Sequence, residues 1–270
     1  MTVLPTAPRN TQVTITVHIA GNNTCQRQGI TLAITVPTGT DDVANASKVD
    51  HVETAITPWT KAGTGAADLW SVTTETTGNK SWFGRNLSTP SDTQLVSPAL
   101  LASATEPFIV KISHAFDLER SFDGGVIELS TNGGTTWTDV ATLGVAPGYT
   151  GPLLGGTPLG NRQAFTGTSP GFPTRSTLTL NFGTQLAGQS VLLRFRIATD
   201  ISVANRGWNI DDIDVSGITN TPFPAQIVEP STCTARKGAS EDSRVVETFE
   251  APATSLAAFD NATCIASDAP

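Results

Sequence analysis

No apolar run approaches the roughly 18 residues that a membrane-spanning helix needs. Met1-Thr2-Val3-Leu4-Pro5 shows neither the charged start nor the apolar stretch of a signal peptide. Cysteine is scarce: Cys25, Cys233 and Cys264 stand far apart with no CxxC spacing, which argues against zinc and redox motifs. Cys233 and Cys264 are expected to form a local disulfide, leaving Cys25 without a partner in this chain. Basic residues are few. Lys and Arg total 16 against 24 acidic residues, a net charge of −8. Nothing is present to displace counterions from a nucleic acid. An acidic surface suits divalent cations, and it also suits plain solubility. Histidine is limited to His18, His51 and His114, none followed by Glu, so the HExxH of a zinc peptidase is absent. No serine nucleophile elbow and no nucleophile–base pair is read. The chain is therefore expected not to be an enzyme.

What is present is the composition of an all-β extracellular protein. Hydrophobic residues make up 38% and charged residues 15%, with 24 Gly, 17 Pro and abundant Thr. The length of 270 residues allows one large or two small domains. Val13, Ile15, Val17 and Ile19 alternate, as do Ile30, Leu32, Ile34 and Val36, so residues 1–47 read as an N-terminal β segment. A polar linker is expected near 41–50. Residues 48–218 read as a β-sandwich of many short strands. Phe108, Val110, Ile112, His114 and Phe116 share one strand face, where His114 is expected to be a satisfied core residue. Asn132-Gly133 between two apolar runs signals a hairpin. Leu193, Phe195 and Ile197 oppose Arg194 and Arg196 across another strand. Residues 144–173 are Gly- and Pro-rich without periodicity, the profile of a functional or mobile loop. Residues 219–270 are expected to be a linker and C-terminal extension. There Val246-Glu247-Thr248 repeats Val52-Glu53-Thr54, either as the start of a second unit or by coincidence.

The alternation breaks at GWNIDDIDVSG, residues 207–217. Trp208 and Ile210 are in phase, but Ile213 and Val215 are displaced by one residue across Asp211-Asp212. A β-bulge at the Asp pair keeps both apolar sets on one face. A carboxylate brought into a core strand needs a partner or a metal.

Residues 50–217 resemble the jelly-roll accessory domains of secreted bacterial metallopeptidases of the immune inhibitor A type, and more distantly the MAM domain. The matching stretches are Val52-Glu53, LVSP (95–98), FDGGVIELS (122–130), NGGTTW (132–137), Gly148-Tyr149, LLRFR (192–196) and GWNIDDI (207–213). The chain departs from the family's usual pattern with Val52 before Glu53 and Asn132 at the hairpin. The resemblance implies a structural calcium ion where the first and last strands meet, with Glu53 and Asp212 as ligands, then Asp211, and with oxygens of Asn79 or Asp92 completing the shell. The alternative is that the aspartates pair with Arg194, Arg196 or Arg206, or cap a turn in solvent. Asp123 is read as a turn-former.

The resemblance implies a non-catalytic, calcium-stabilised module of a larger secreted protein, used for attachment, substrate positioning or interdomain packing. Two other roles stay open. One is an adhesive subunit that joins neighbouring copies by β-strand addition. The other is a carbohydrate-binding module. Polysaccharide binding needs displayed aromatic side chains. Trp70, Trp82, Tyr149 and Phe165 are the candidates, with Trp59 and Phe172, and burial is the competing expectation for each.

Overall fold

The computed structural model describes residues 11–19, 30–38, 42–64 and 70–226. Cys25, Cys233, Cys264 and the Val246-Glu247-Thr248 repeat lie outside the described residues. The chain divides into two compact units, Met1–Asp41 with Val228–Pro270, and Asp42–Ile227. In the first unit β1 (Thr11–Ile19) pairs antiparallel with β2 (Ile30–Thr38). Their register sets Val13 against Val36, Ile15 against Ile34 and Val17 against Leu32.

The second unit opens with β3 (Asp42–Ser47) and β4 (Val49–Asp50), then β5 (Thr60–Thr64), β6 (Trp70–Thr74), β7 (Lys80–Arg85), β8 (Ser91–Val96) and β9 (Leu100–Leu101). There follow β10 (Ile109–Asp117), β11 (Gly124–Ser130), β12 (Thr138–Asp139), β13 (Gly151–Pro152) and β14 (Gln163–Ala164). It closes with β15 (Ser176–Asn181), β16 (Ser190–Thr199), β17 (Gly207–Ser216) and β18 (Phe223–Gln226). One sheet runs β15-β10-β17-β7-β6, with β4 also on β17. The other runs β12-β11-β16-β8-β5, with β9 also on β16. The chain crosses repeatedly between the sheets, as at β7–β8, β9–β10, β10–β11, β15–β16 and β16–β17, and the two sheets pack as a jelly-roll β-sandwich. Residues 41–50, expected as linker, instead contain β3 and β4, and β3 pairs with β18 from the stretch expected to be a C-terminal linker. Short strands such as Asp42–Ser47, exposed at four of six positions, carry no apolar alternation for a sequence reading to detect.

The inner faces supply the core. From the first sheet come Val110, Ile112, Phe116, Trp208, Ile210, Ile213 and Val215. From the second come Leu95, Ile127, Leu129, Leu193, Phe195 and Ile197. The break in β17 is a bulge. Lys111 faces Asp214 and Ser113 faces Asp211, so β17 spends one residue more than β10 over this span. Asp212 takes up the strain at φ 46°. Ile210, Ile213 and Val215 consequently all stay buried. Glycine is required at both ends of β17: a Cβ on Gly207 or Gly217 falls 2.2 Å from the Gly84 oxygen or 2.0 Å from the Pro107 oxygen, at φ 118° and 72°.

His114 sits in this core, where its Nδ1 accepts the Trp208 indole N–H at 3.2 Å. That bond requires a neutral ring, and burial holds the imidazole down at about 4. The unfolded chain takes up this proton near 6.5, before the folded protein does. Stability is therefore fully present above pH 6.5 and declines as pH falls toward 4. The limiting loss is on the order of 3 kcal/mol. Thermal midpoints measured across this window should fall less steeply for His114→Gln than for the native protein. Equal slopes would refute the assignment.

Candidate functional site

Three polar constellations lie on the sandwich. The first is built where β10, β7 and β16 give way to loops. Past β10 the chain turns tightly, with the Asp123 N–H donating to the Glu119 carbonyl at 3.0 Å and Ser121 at φ 68°. This turn delivers Asp123 to the start of β11. Asp123 is fully buried. Its carboxylate accepts the Asn86 amide and the Asp200 backbone N–H, each at 2.7 Å. Asp200 directly follows β16. Carboxylate oxygens of Glu119, Asp123 and Asp200 all lie within 4.8 Å of one another, which makes them the one such acidic group among the described residues. Burial pushes the Asp123 carboxyl up to about 6, against the two hydrogen bonds, and the neighbouring carboxylates of Asp200 and Glu119 add to the rise. Glu119 Oε2 is buried without any hydrogen-bond partner. Oxygen donors, surplus negative charge and an orphaned carboxylate oxygen fit a hard divalent cation.

The residues expected to bind calcium are engaged differently. The first and last strands do meet, with Asp50 of β4 opposite Ile213 of β17. Asp212, however, pairs with His51 at 2.7 Å in an exposed contact. Glu53 Oε1 accepts the Lys80 backbone N–H at 2.8 Å. Asp211 is buried and accepts the Asn79 amide at 2.8 Å, while Arg175 reaches the same oxygen at 3.0 Å. Asp92 lies on β8 of the other sheet and takes both prongs of Arg196 at 2.7 Å. Asn79 and Asp211 thus meet, with Glu53 bonded to the neighbouring Lys80, Asp92 lies on the other sheet, and Glu53, Asp211 and Asp212 form no close group of carboxylates among the described residues. The guanidinium on Asp211 is Arg175, from the end of a loop, and not Arg194, Arg196 or Arg206.

The aromatic side chains expected as sugar platforms are mostly core. Trp59, Trp70, Trp82 and Phe165 are buried, and Tyr149 packs edge-on to Phe165 with 5.0 Å between ring centres. A jelly roll of this size needs large rings to fill the space between its sheets, and these supply them. The Tyr149 hydroxyl accepts the Ile127 N–H at 3.0 Å.

The second constellation covers the outer face of the second sheet. Glu128 is buried there and binds Arg194 Nε at 2.5 Å and Arg162 at 2.8 Å. Arg162 also donates to Asp139 at 2.7 Å, and Arg194 lies 4.2 Å from the Trp137 ring centre. The loop at 144–173 is therefore a packed cover. Its Leu153, Leu159 and Ala164 bury against Val126 and Ala198 of the sheet. Gly167-Thr168-Ser169-Pro170-Gly171 in this loop matches the spacing of a serine elbow, contrary to the expectation that none exists. Ser169 is buried, its Oγ accepts the Phe116 N–H at 3.1 Å, and no helix follows it. It closes a turn, and the strand–turn–helix that would present a nucleophile is missing.

The third is a groove of about 710 Å³ on the outer face of the first sheet. Phe83, Ser113 and Asn209 form its floor on the adjacent strands β7, β10 and β17. Glu75, Phe172 and Arg175 form its walls. Arg175 is held between Glu75 and Asp211. Asp211, which alternates to the outer face after inward Ile210, thus anchors one wall of the groove. Sequence reasoning missed both the groove and the Glu119–Asp123–Asp200 cluster, because the groove collects residues from several distant stretches and the cluster joins one turn to an acid 77 residues further on.

No family model matches the sequence, and no curated protein matches it. Among solved structures, the chain is similar to the K1 cleaved adhesin domain of Lys-gingipain from Porphyromonas gingivalis W83. The identity is 12%, over 63% of this chain and 96% of that one, with a TM-score of 0.37. It is similar to a carbohydrate-binding module of the β-sandwich superfamily described for its promiscuous specificity, at 12% identity over 76% of this chain and 74% of that one, TM-score 0.37. It is also similar to TmCBM61 in complex with β-1,4-galactotriose, at 12% identity over 58% of this chain and 87% of that one, TM-score 0.34.

Proposed function

We propose that the chain is a non-catalytic β-sandwich module of a larger secreted protein, used for attachment, and stabilised by calcium at Glu119, Asp123 and Asp200. The observation that carries this reading is the orphaned, buried Oε2 of Glu119 beside two further carboxylates. Three like charges brought this close repel one another, and the low local dielectric strengthens that repulsion. A calcium ion takes carboxylate oxygens in flexible geometry and offsets both the repulsion and the burial of Asp123. Three carboxylates on a loop-built site correspond to the weaker class of calcium sites, suited to the high calcium of an extracellular setting.

Calorimetric titration of calcium into the chelator-treated full chain tests this. Saturable binding is expected, lost in Asp123→Asn and Glu119→Gln and kept in Asp212→Asn. Loss in Asp212→Asn alone would move the ion to the junction of β4 and β17. Absence of saturable binding at millimolar calcium would end the calcium reading.

A further inference from the structure

We propose that the groove on the outer face of the first sheet is a saccharide-binding site. The proposal does not depend on the cation.

Its floor is made of paired strands. β17 has β10 on one side and β7 on the other, so its backbone groups are occupied and cannot add a peptide strand along this face. A ligand here must be read by side chains alone. Those side chains combine ring faces with small donors and acceptors, which is the pairing that a sugar ring presents: an apolar C–H face and a rim of hydroxyls. Phe83 and Phe172 are half-buried and border the groove from the floor and from a wall. Both remain partly open to solvent, unlike the core aromatics.

The polar groups fall into two kinds. Some are free to bond a ligand. The Ser113 hydroxyl has no hydrogen bond among the described residues, and Asn209 spends only its amide N–H, on Ser81 at 3.2 Å. Its carbonyl oxygen is left as an acceptor. Arg206, exposed at the rim, makes no ion pair among the described residues.

Others are fixed in advance. Glu75 accepts both Arg175 and the Ser81 hydroxyl, and Arg175 is held from behind by Asp211, itself bonded to Asn79. An adjacent acceptor and donor locked in place suit the two oxygens of a vicinal diol, and locking them lowers the ordering cost of binding. The volume of about 710 Å³ lies within the roughly 300–1,000 Å³ usual for small-ligand sites.

Native affinity gels cast with β-glucan, galactan, xylan, mannan or polygalacturonate test the proposal, using the full chain with calcium throughout. Retardation is expected in at least one gel. Phe83→Ala should weaken it roughly tenfold, the effect of losing one stacked ring. Asn209→Ala should weaken it with an unchanged thermal midpoint, which separates loss of the site from loss of the fold. Phe83→Tyr, which keeps the ring, should restore retardation. No retardation in any gel, or retardation that Phe83→Ala and Asn209→Ala both retain, would overturn it.

Discussion

Calcium added to the chelator-treated protein should raise its thermal midpoint by roughly 5–10 °C. At a hundred times the dissociation constant, a ligand bound only by the folded state stabilises it by about 2.7 kcal/mol. For a domain of this size each kcal/mol moves the midpoint by roughly 2–4 °C. Glu119→Gln is the cleanest variant. It removes one charge from the cluster at a carboxylate oxygen that has no hydrogen-bond partner to lose. Its midpoint in chelator should match or exceed that of the native protein, because one repulsive charge is gone, while its response to calcium shrinks. Sodium chloride at equal ionic strength serves as the control, since screening alone also relieves like-charge repulsion. Equal responses to calcium and to sodium chloride would reduce the effect to screening and remove the ion from the account.

Glu128→Ala should lower the midpoint by on the order of 10 °C. Glu128 is buried under the loop at 144–173 and binds Arg194 and Arg162, with Arg196 at 3.6 Å. Removing it takes away the one carboxylate that Arg194, Arg162 and Arg196 share. Breaking a buried pair from one side typically costs about 3–5 kcal/mol. Asp139 still holds Arg162 and Asp92 still holds Arg196, so the residual damage falls on Arg194, stacked on Trp137. Glu128→Gln keeps one acceptor and should lose less. Limited proteolysis checks the structural claim: cleavage within 144–173 should accelerate in Glu128→Ala. Unchanged cleavage would show that the apolar packing of Leu153, Leu159 and Ala164 alone fastens the loop.

The two sites differ in what holds them. Around Glu128, each carboxylate has a guanidinium, and the constellation is complete within the chain. Around Asp123, carboxylates face one another with one oxygen unpartnered, an arrangement that fits a cation. Counting charges separates them where burial alone does not, since Glu128 and Asp123 are both buried.

The amino-acid sequence by itself determined the sandwich. Alternation assigned the inner faces of β10, β16 and β17, because burial of one sheet face imposes a period of two on every strand. It also located the bulge, since a one-residue slip in an apolar set has few physical remedies. His114 was legible as a core residue for the same reason. Short β3, mostly exposed, and four-residue β18 were not, because their place is set by pairing with each other. Only the tertiary structure decided which acids converge. The resemblance implied a calcium ion at Glu53 and Asp212, then Asp211; folding brought Arg175 and Asn79 to Asp211 and His51 to Asp212. Glu119, Asp123 and Asp200 come together across 77 residues through the Gly124–Ala198 register of β11 and β16, a distance no local pattern records. The bulge was read correctly. Asp211 on the outer face of β17 holds Arg175 on the wall of a groove, and that wall exists only once the first sheet and the segment carrying Phe172 and Arg175 have come together.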